Sequence, residues 1–134
     1  MKNKYYCYFQ PNKKDLKDNY GGCSVRCICK ALDLDWKEAY KKLIPYILEY
    51  QCPFMGMTLE IYKKVFCDMG FEYYGISNKK GSKRPTVKEF AKDHPEGTYI
   101  LSLAHHLVCV KDGKYYDTWD CGWKSLYGYY ERKK

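Results

Sequence analysis

The chain has 134 residues, of which 46% are hydrophobic and 18% aromatic, and its formal net charge is +8 at pH 7. This composition excludes a disordered chain, and no apolar run approaches the roughly 18–20 residues that a membrane span requires. We expect a single domain over residues 1–134. Because no segment near residue 1 resembles a secretory signal, we also expect a cytoplasmic protein without a membrane partner.

The first half of the chain predicts a short strand followed by helices. The strand covers residues 4–9, and apolar residues at i, i+3, i+4 and i+7 predict a helix that starts near Cys23. The capping-box pair Asp35 and Glu38 opens a second helix. Pro45 should kink or end that helix, because proline lacks a backbone donor.

The second half predicts one more long helix, one short helix and a group of strands. Thr58 caps a helix that Gly70 stops, and a strand follows at residues 71–76. The pair Thr86 and Glu89 is a second capping box, for a short helix that ends at His94. Helices first and strands later predict an α+β fold with N-terminal helices packed on a C-terminal antiparallel sheet. The C-terminal strands are predicted over residues 98–103, 106–111, 114–119 and 125–132.

Eight cysteines are scattered along the chain. Without an export signal or a CxxC pair, their spacing favours neither a disulfide framework nor a structural zinc site. Four of them lie in apolar-periodic segments, where cysteine behaves as a small hydrophobic residue. These four are Cys27, Cys29, Cys67 and Cys109.

The positive charge leaves nucleic-acid binding open as an alternative function. Tyrosines interleave with the lysines, as in proteins that bind single-stranded nucleic acid. However, much of the charge falls in the segment KKGSKR at residues 79–84 and in the terminal ERKK. A basic loop and a frayed tail explain those charges without a partner, so this alternative is the less favoured one.

The pair Asp112-Gly113 lies between two apolar runs and predicts a two-residue type I′ hairpin turn. Such a turn opposes Lys111 to Lys114 and sets the register of both strands. In this register Val108 faces Asp117. A slip by one residue would move every side chain to the other face of the hairpin.

The predicted register gathers His106, Asp117 and Trp119 on one face. His106 and Asp117 become diagonal neighbours within reach of a hydrogen bond, and Trp119, opposite the histidine, would keep water away from the pair. His105 falls on the other face, opposite Asp120. A histidine near a carboxylate at a strand end also occurs for purely structural reasons, and that alternative stays open here.

Cys23 follows two glycines and stands where the first helix is predicted to begin. A thiol at a helix N-terminus feels the positive end of the helix dipole, which stabilises its thiolate form. A neighbouring imidazole would complete a thiolate–imidazolium pair, the activated form of a cysteine nucleophile. The backbone N–H of Cys23 could also serve as one oxyanion donor. The alternative is a buried structural cysteine.

The segments GGCSVRCICKALDLDWKEAY, HHLVCV and YYDTWDCG together resemble the papain-like cysteine peptidases. They also resemble small bacterial and phage-borne proteins with a DCxVRA start and a DGxYYDTWD finish. The resemblance covers about residues 19–131 and implies a papain-like fold that needs neither a metal nor an organic cofactor. In this comparison Cys23 matches the nucleophile, His106 the general base, and Asp117 the residue that orients the imidazole.

The chain departs from the papain-like pattern near the expected oxyanion donor. Papain-like peptidases carry a glutamine shortly before the nucleophile, whereas Lys17 stands six residues before the cysteine here. Gly22 stands where the small relatives have an aspartate. The missing side-chain amide could come from Asn19, Gln10 or Asn12.

These features predict a thiol hydrolase or acyltransferase that acts on an amide or isopeptide bond. The substrate would be a peptide, a protein or a small amide, and the basic segment 79–84 favours an acidic one. Cys23 would attack the carbonyl, His106 would carry the proton, and Asp117 would hold the imidazole. The main alternative is a catalytically silent module of the same fold that recognises a protein partner.

Overall fold

In the computed structural model, which describes residues 3–14, 22–77, 79, 81 and 83–133, four α-helices pack around a six-stranded mixed sheet. Over these residues, no helix combines the length and apolar character that crossing a bilayer requires. The helices are α1 (Cys23–Leu32), α2 (Trp36–Tyr50), α3 (Leu59–Asp68) and α4 (Val87–Asp93), with a 3-10 turn at Phe54–Gly56. The strands are β1 (Tyr6–Tyr8), β2 (Phe71–Gly75), β3 (Thr98–Leu103), β4 (His106–Lys111), β5 (Lys114–Asp117) and β6 (Gly128–Arg132).

The sheet runs in the order β1-β5-β4-β3-β6-β2, and its antiparallel character breaks at one edge. The strand pairs from β5 to β2 are antiparallel as predicted, but β1 pairs with β5 in parallel, with Tyr6 opposite Tyr115. The prediction of a wholly antiparallel sheet is therefore wrong at β1. A tight hairpin forces two strands to be antiparallel, whereas β1 and β5 are joined by most of the chain and are free of that constraint.

The hairpin of β4 and β5 forms around the predicted turn. Asp112 and Gly113 both have positive φ, 49° and 81°, as a type I′ turn requires. The β4–β5 ladder is shorter than predicted, since its last pair is Cys109 with Tyr116. Asp117, the last residue of β5, pairs with Tyr8 of β1 on the other side of the strand. The predicted opposition of Val108 to Asp117 is thus absent from the ladder. The pairs formed are Lys111 with Lys114, Val110 with Tyr115, and Cys109 with Tyr116.

Apolar side chains fill a layer on each face of the sheet. One layer joins α1, α2 and α3 to the sheet through residues such as Ile28, Leu43 and Phe66. The other layer lies under α4, where Phe90 packs with Tyr99 and Val110. The N-terminal helices therefore pack on the sheet as predicted, while α4 covers the opposite face.

The predicted helix starts are confirmed by their capping hydrogen bonds. The backbone N–H of Glu38 donates to the Asp35 carboxylate at 2.8 Å, and the N–H of Glu89 donates to the Thr86 hydroxyl at 3.2 Å. In both boxes the glutamate accepts the return bond from the cap residue. Thr58 caps α3 by accepting from the backbone N–H of residue 61.

Pro45 lies inside α2, which continues to Tyr50, so of the two predicted outcomes, a kink or an end, the end is wrong. Both Pro45 and Lys41 lie on the exposed side of the helix. The carbonyl of Lys41 loses its usual partner at Pro45 and can be solvated instead. Beyond the proline, Tyr46 donates a hydrogen bond of 2.7 Å to Asp68 of α3, which holds the last turns in place.

All eight cysteines are free thiols. Cys27, Cys29 and Cys109 are buried as predicted, but Cys67 is exposed. The buried stripe of α3 is formed by Ile61, Val65 and Phe66, which places Cys67 on the solvent side of the helix.

We expect Gly113→Ala to destabilise the fold by about 1–2 kcal/mol, the cost of a left-handed conformation in a residue with a Cβ. The added Cβ would also lie 3.3 Å from the Cα of Pro95. The matched control is Gly75→Ala in β2, where φ is not positive and the nearest atom would lie at an ordinary 3.7 Å. Urea unfolding measures both, and equal stability of the two variants would contradict the turn assignment.

Candidate active site

The carboxylate of Asp117 is the centre of the site. It lies at the end of β5, it is fully buried, and four donors surround it. Its Oδ2 atom lies 2.5 Å from Nε2 of His106 and 3.3 Å from the thiol of Cys121. Its Oδ1 atom accepts from Nη1 of Arg26 at 3.1 Å and from the backbone N–H of Thr118 at 2.7 Å. A buried carboxylate with this many donors is held in one orientation.

His106 opens β4 and presents its two ring nitrogens to different partners. An ionised carboxylate only accepts hydrogen bonds, so Nε2 carries the proton shared with Asp117, and Nδ1 is the nitrogen left for the thiol of Cys23. The indole of Trp119 lies beside the imidazole, with 5.2 Å between the ring centroids. Trp119 keeps this contact although the strand ends two residues before it.

Cys23 is the first residue of α1, preceded by Gly22 without a side-chain cap. Burial raises the pKa of the thiol, but hydrogen bonds from His106 and from the backbone N–H of Leu107, with the charge of Arg26, outweigh burial. The net pKa of Cys23 lies below the ordinary thiol value. The first turn of the helix also presents N–H groups that no side chain caps, and these favour an anion there.

The pKa of His106 moves in the opposite direction to that of Cys23. Burial lowers the pKa of the imidazole, while hydrogen bonds to Asp117 and Cys23 raise it to about 9. A lowered thiol pKa beside a raised imidazole pKa favours transfer of the thiol proton to the imidazole.

A cavity of about 380 Å³ opens at Cys23 and His106. Its wall combines polar and apolar surface in nearly equal parts. Phe54, Met57, Leu59, Leu103 and Leu107 lie there beside Cys23, Ser102, His105 and His106. Stacked aromatic rings support it, since Phe54 lies on Tyr40 with 5.0 Å between ring centroids. The space is large enough for a small amide or one side chain of a peptide.

His105 lies outside the triad. It occupies the turn between β3 and β4 with φ of 54°, is exposed, and lines the cavity. The prediction that it faces Asp120 across the hairpin is wrong, because His105 precedes the strand. Asp120 instead accepts hydrogen bonds from Tyr115, Asn3 and the backbone N–H of Gly122.

The candidate oxyanion donors are placed unequally. Gln10 comes directly after Phe9, whose N–H donates to the backbone carbonyl of Asp117 at 2.9 Å, but Gln10 does not line the cavity at Cys23. Its side-chain carbonyl accepts from the N–H of Asn12 at 3.0 Å, and its amide nitrogen makes no hydrogen bond with the described residues. Asn12 accepts in the same way from Lys14. Asn19 and Lys17 lie outside the described residues.

Two residues of the site escaped sequence reasoning: Arg26 and Cys121. Arg26 stands three positions after Cys23, and residues at i and i+3 share a helix face. A charged residue inside an apolar stripe, one turn from the nucleophile, was the available signal. Cys121 gave no comparable signal, because only the bend after β5 brings it back to Asp117.

The atoms His106 Nε2, Asp117 Oδ2 and Cys121 Sγ lie within 4.8 Å of one another, which is close enough to consider a metal ion. Ligand atoms at about 2 Å around tetrahedral zinc are more than about 3 Å apart. The 2.5 Å between Nε2 and Oδ2 fits a shared proton and not two ligands. The guanidinium of Arg26 on the same carboxylate also opposes a cation, so these residues fit a hydrogen-bonded cluster better than a metal centre.

Comparison of this chain with known protein families, with curated proteins and with solved structures finds no match. Its function therefore has to be argued from the geometry of the site.

The imidazole of His106 should titrate near pH 9 in an NMR titration of the folded protein. Cys23→Ser should lower that midpoint, because the thiolate that stabilises the imidazolium is gone. With a raised pKa, the stability that the bound proton contributes is fully present below pH 6.5 and is lost as the pH rises through about 9. His105→Asn is the control and should leave the midpoint in place. A midpoint near 6.5 in the unsubstituted protein would contradict the ion pair.

Proposed function

We propose that the protein is a papain-like thiol hydrolase or acyltransferase that acts on an amide or isopeptide bond through Cys23, His106 and Asp117. The observation that carries this proposal is the alignment of the three groups. A thiol with a lowered pKa meets an imidazole whose far nitrogen lies 2.5 Å from a buried carboxylate. A nucleophile, a base and a group that orients the base are the parts that acyl transfer requires.

In the proposed reaction the Cys23 thiolate attacks the carbonyl carbon of the substrate, and the carbonyl oxygen becomes an oxyanion. The backbone N–H of Cys23 donates to that oxyanion in the proposed reaction. The imidazolium of His106 then gives its proton to the leaving amine, and a thioester on Cys23 remains. His106, now neutral, takes a proton from water or from an acceptor amine, which attacks the thioester. The acyl group leaves as an acid or a new amide, and the Cys23 thiolate and the His106 imidazolium are restored.

The cavity lining indicates the group that the substrate places beside the thiol. Apolar and aromatic side chains share the wall with Ser102 and two histidines, and no carboxylate, lysine or arginine is among the described residues that line it. A neutral group that combines apolar surface with hydrogen-bonding atoms suits this space. The acidic group predicted from the segment 79–84 would lie elsewhere on the substrate, and residues 80 and 82 of that segment are outside the described ranges.

A catalytically silent binding module is the second candidate. The observation that favours it is a patch of exposed aromatic rings near the site. Trp123 is 72% exposed and Trp119 is 41% exposed, and the ammonium of Lys124 lies about 6 Å from each ring. Exposed tryptophans are typical anchors of protein interfaces. In a silent module Cys23 would behave as an ordinary thiol, which separates the two functions.

The reaction of each cysteine with iodoacetamide, measured against pH by peptide mass spectrometry, tests the proposal. We expect Cys23 to react fast at neutral pH and below, where an ordinary thiol with a pKa of about 8.5 is protonated. His106→Ala should slow that reaction at low pH. The exposed Cys67 is the internal control, since it lies outside the site and is open to the reagent. If Cys23 follows Cys67, the activated nucleophile does not exist and the binding module is favoured.

Gln10 adjoins the backbone hydrogen bond between Phe9 and Asp117, and we expect it to supply the second oxyanion donor. Gln10→Ala should slow acylation of Cys23 by p-nitrophenyl acetate about 100- to 1000-fold, the usual loss for one oxyanion donor. It should leave iodoacetamide alkylation unchanged, because that displacement forms no oxyanion. Asn12→Ala is the matched control. A Gln10→Ala variant that acylates at the unsubstituted rate would rule out this role.

A further inference from the structure

Arg26 gives the site a positive charge that neither the triad nor the acyl-transfer steps use. We propose that Arg26 is a positioning residue that neutralises Asp117, so that the imidazolium of His106 is left to stabilise the thiolate of Cys23. This inference rests on the proposed function, since it concerns the same cysteine–histidine pair.

The placement of Arg26 supports this role. It lies one turn beyond Cys23 on α1, is only 8% exposed, and reaches the fully buried carboxylate of Asp117. The carboxylate is bridged between two cations, with Arg26 on Oδ1 at 3.1 Å and His106 on Oδ2 at 2.5 Å. One helix thus carries both the nucleophile and the cation that pairs with the carboxylate behind the base.

A count of buried charges shows why the second cation matters. The active form holds two anions, the thiolate and the Asp117 carboxylate, and the imidazolium can balance only one of them. Without Arg26, the imidazolium would balance Asp117, and ionising Cys23 would leave an uncompensated buried negative charge. An uncompensated charge away from water is strongly disfavoured, so the thiol would keep its proton.

The other titratable groups near the site do not replace Arg26. Burial raises the pKa of the phenols of Tyr6 and Tyr62 and of the thiols of Cys27 and Cys121, so these groups stay neutral near pH 7. His105 is exposed and makes no hydrogen bond to Asp117. The groups that face Asp117 or Cys23 are Tyr6 on β1, Arg26 and Cys27 on α1, Tyr62 on α3, His105 and His106 at the start of β4, and Asp120 and Cys121 after β5.

Asp120 adds a further negative charge at the edge of this group. Its carboxylate is already bound by Tyr115, Asn3 and the backbone N–H of Gly122. It brings no cation to Asp117, so Arg26 is the one permanently charged cation that contacts the Asp117 carboxylate among the described residues.

The test is the pH midpoint of Cys23 alkylation by iodoacetamide in a double-mutant cycle. Arg26→Met should move the midpoint upward by about one to three pH units, the usual effect of one nearby charge. Asp117→Asn alone should leave the midpoint at or below its unsubstituted value. The double variant Arg26→Met/Asp117→Asn should bring the midpoint back toward that value, because the imidazolium and the thiolate again balance each other.

If Arg26 were merely structural, the double variant would not regain the low pH midpoint of Cys23 alkylation. Arg26→Lys, which keeps the charge, should hold the midpoint near the unsubstituted value, and it serves if Arg26→Met does not fold. Arg132→Met is the matched control, since Arg132 binds only the Ala31 carbonyl among the described residues and lies away from the triad.

Two results would overturn the inference in distinguishable ways. If the unsubstituted protein has a low midpoint and Arg26→Met does not raise it, the role of Arg26 is rejected and the proposed function stands. The same holds if Arg26→Met raises the midpoint and the added Asp117→Asn substitution does not lower it again. An ordinary midpoint in the unsubstituted protein would overturn both.

Discussion

The buried carboxylate of Asp117 is the constraint on which the site depends. Asp117 lies where β5 ends. Its carboxylate contacts His106 on β4 and Arg26 on α1, and its backbone carbonyl accepts a hydrogen bond from Phe9, which follows β1. A charge this deeply buried is stable only with partners, and loss of one partner of a buried ion pair typically costs about 3–5 kcal/mol. The same interactions that stabilise the carboxylate therefore fix the imidazole.

Two short segments bring these partners together: the hairpin turn and the first turn of α1. A two-residue turn sets the β4–β5 hairpin, and α1 packs on the sheet so that its first turn meets the start of β4. Cys23 and Arg26 share a face of α1 because they are three residues apart. A ten-residue helix thus carries both the thiol and the cation that pairs with the Asp117 carboxylate.

Local rules were sufficient for much of this picture. The Asp112-Gly113 turn, the two capping boxes and the glycines before Cys23 act over a few residues, and from them the helix starts and the His106–Asp117 proximity could be predicted. Long-range placement could not: nothing local puts β1 beside β5 in parallel or returns Cys121 to Asp117. Pro45 misled because a local preference gave way to solvation of an exposed carbonyl and to packing beyond it. The papain-like fold and the chemistry remain proposals, which rest on a sequence resemblance and on the geometry of the site.

The most direct measurement is the ultraviolet absorbance of the thiolate as a function of pH, taken as the difference between the unsubstituted protein and Cys23→Ser. A thiolate–imidazolium pair predicts the absorbance of one thiolate already present at neutral pH, lost only on acidification well below the ordinary thiol value of about 8.5. An absorbance that appears only as the pH rises through about 8.5 would show that Cys23 is an ordinary thiol. The site would then be a buried hydrogen-bonded cluster without an activated nucleophile.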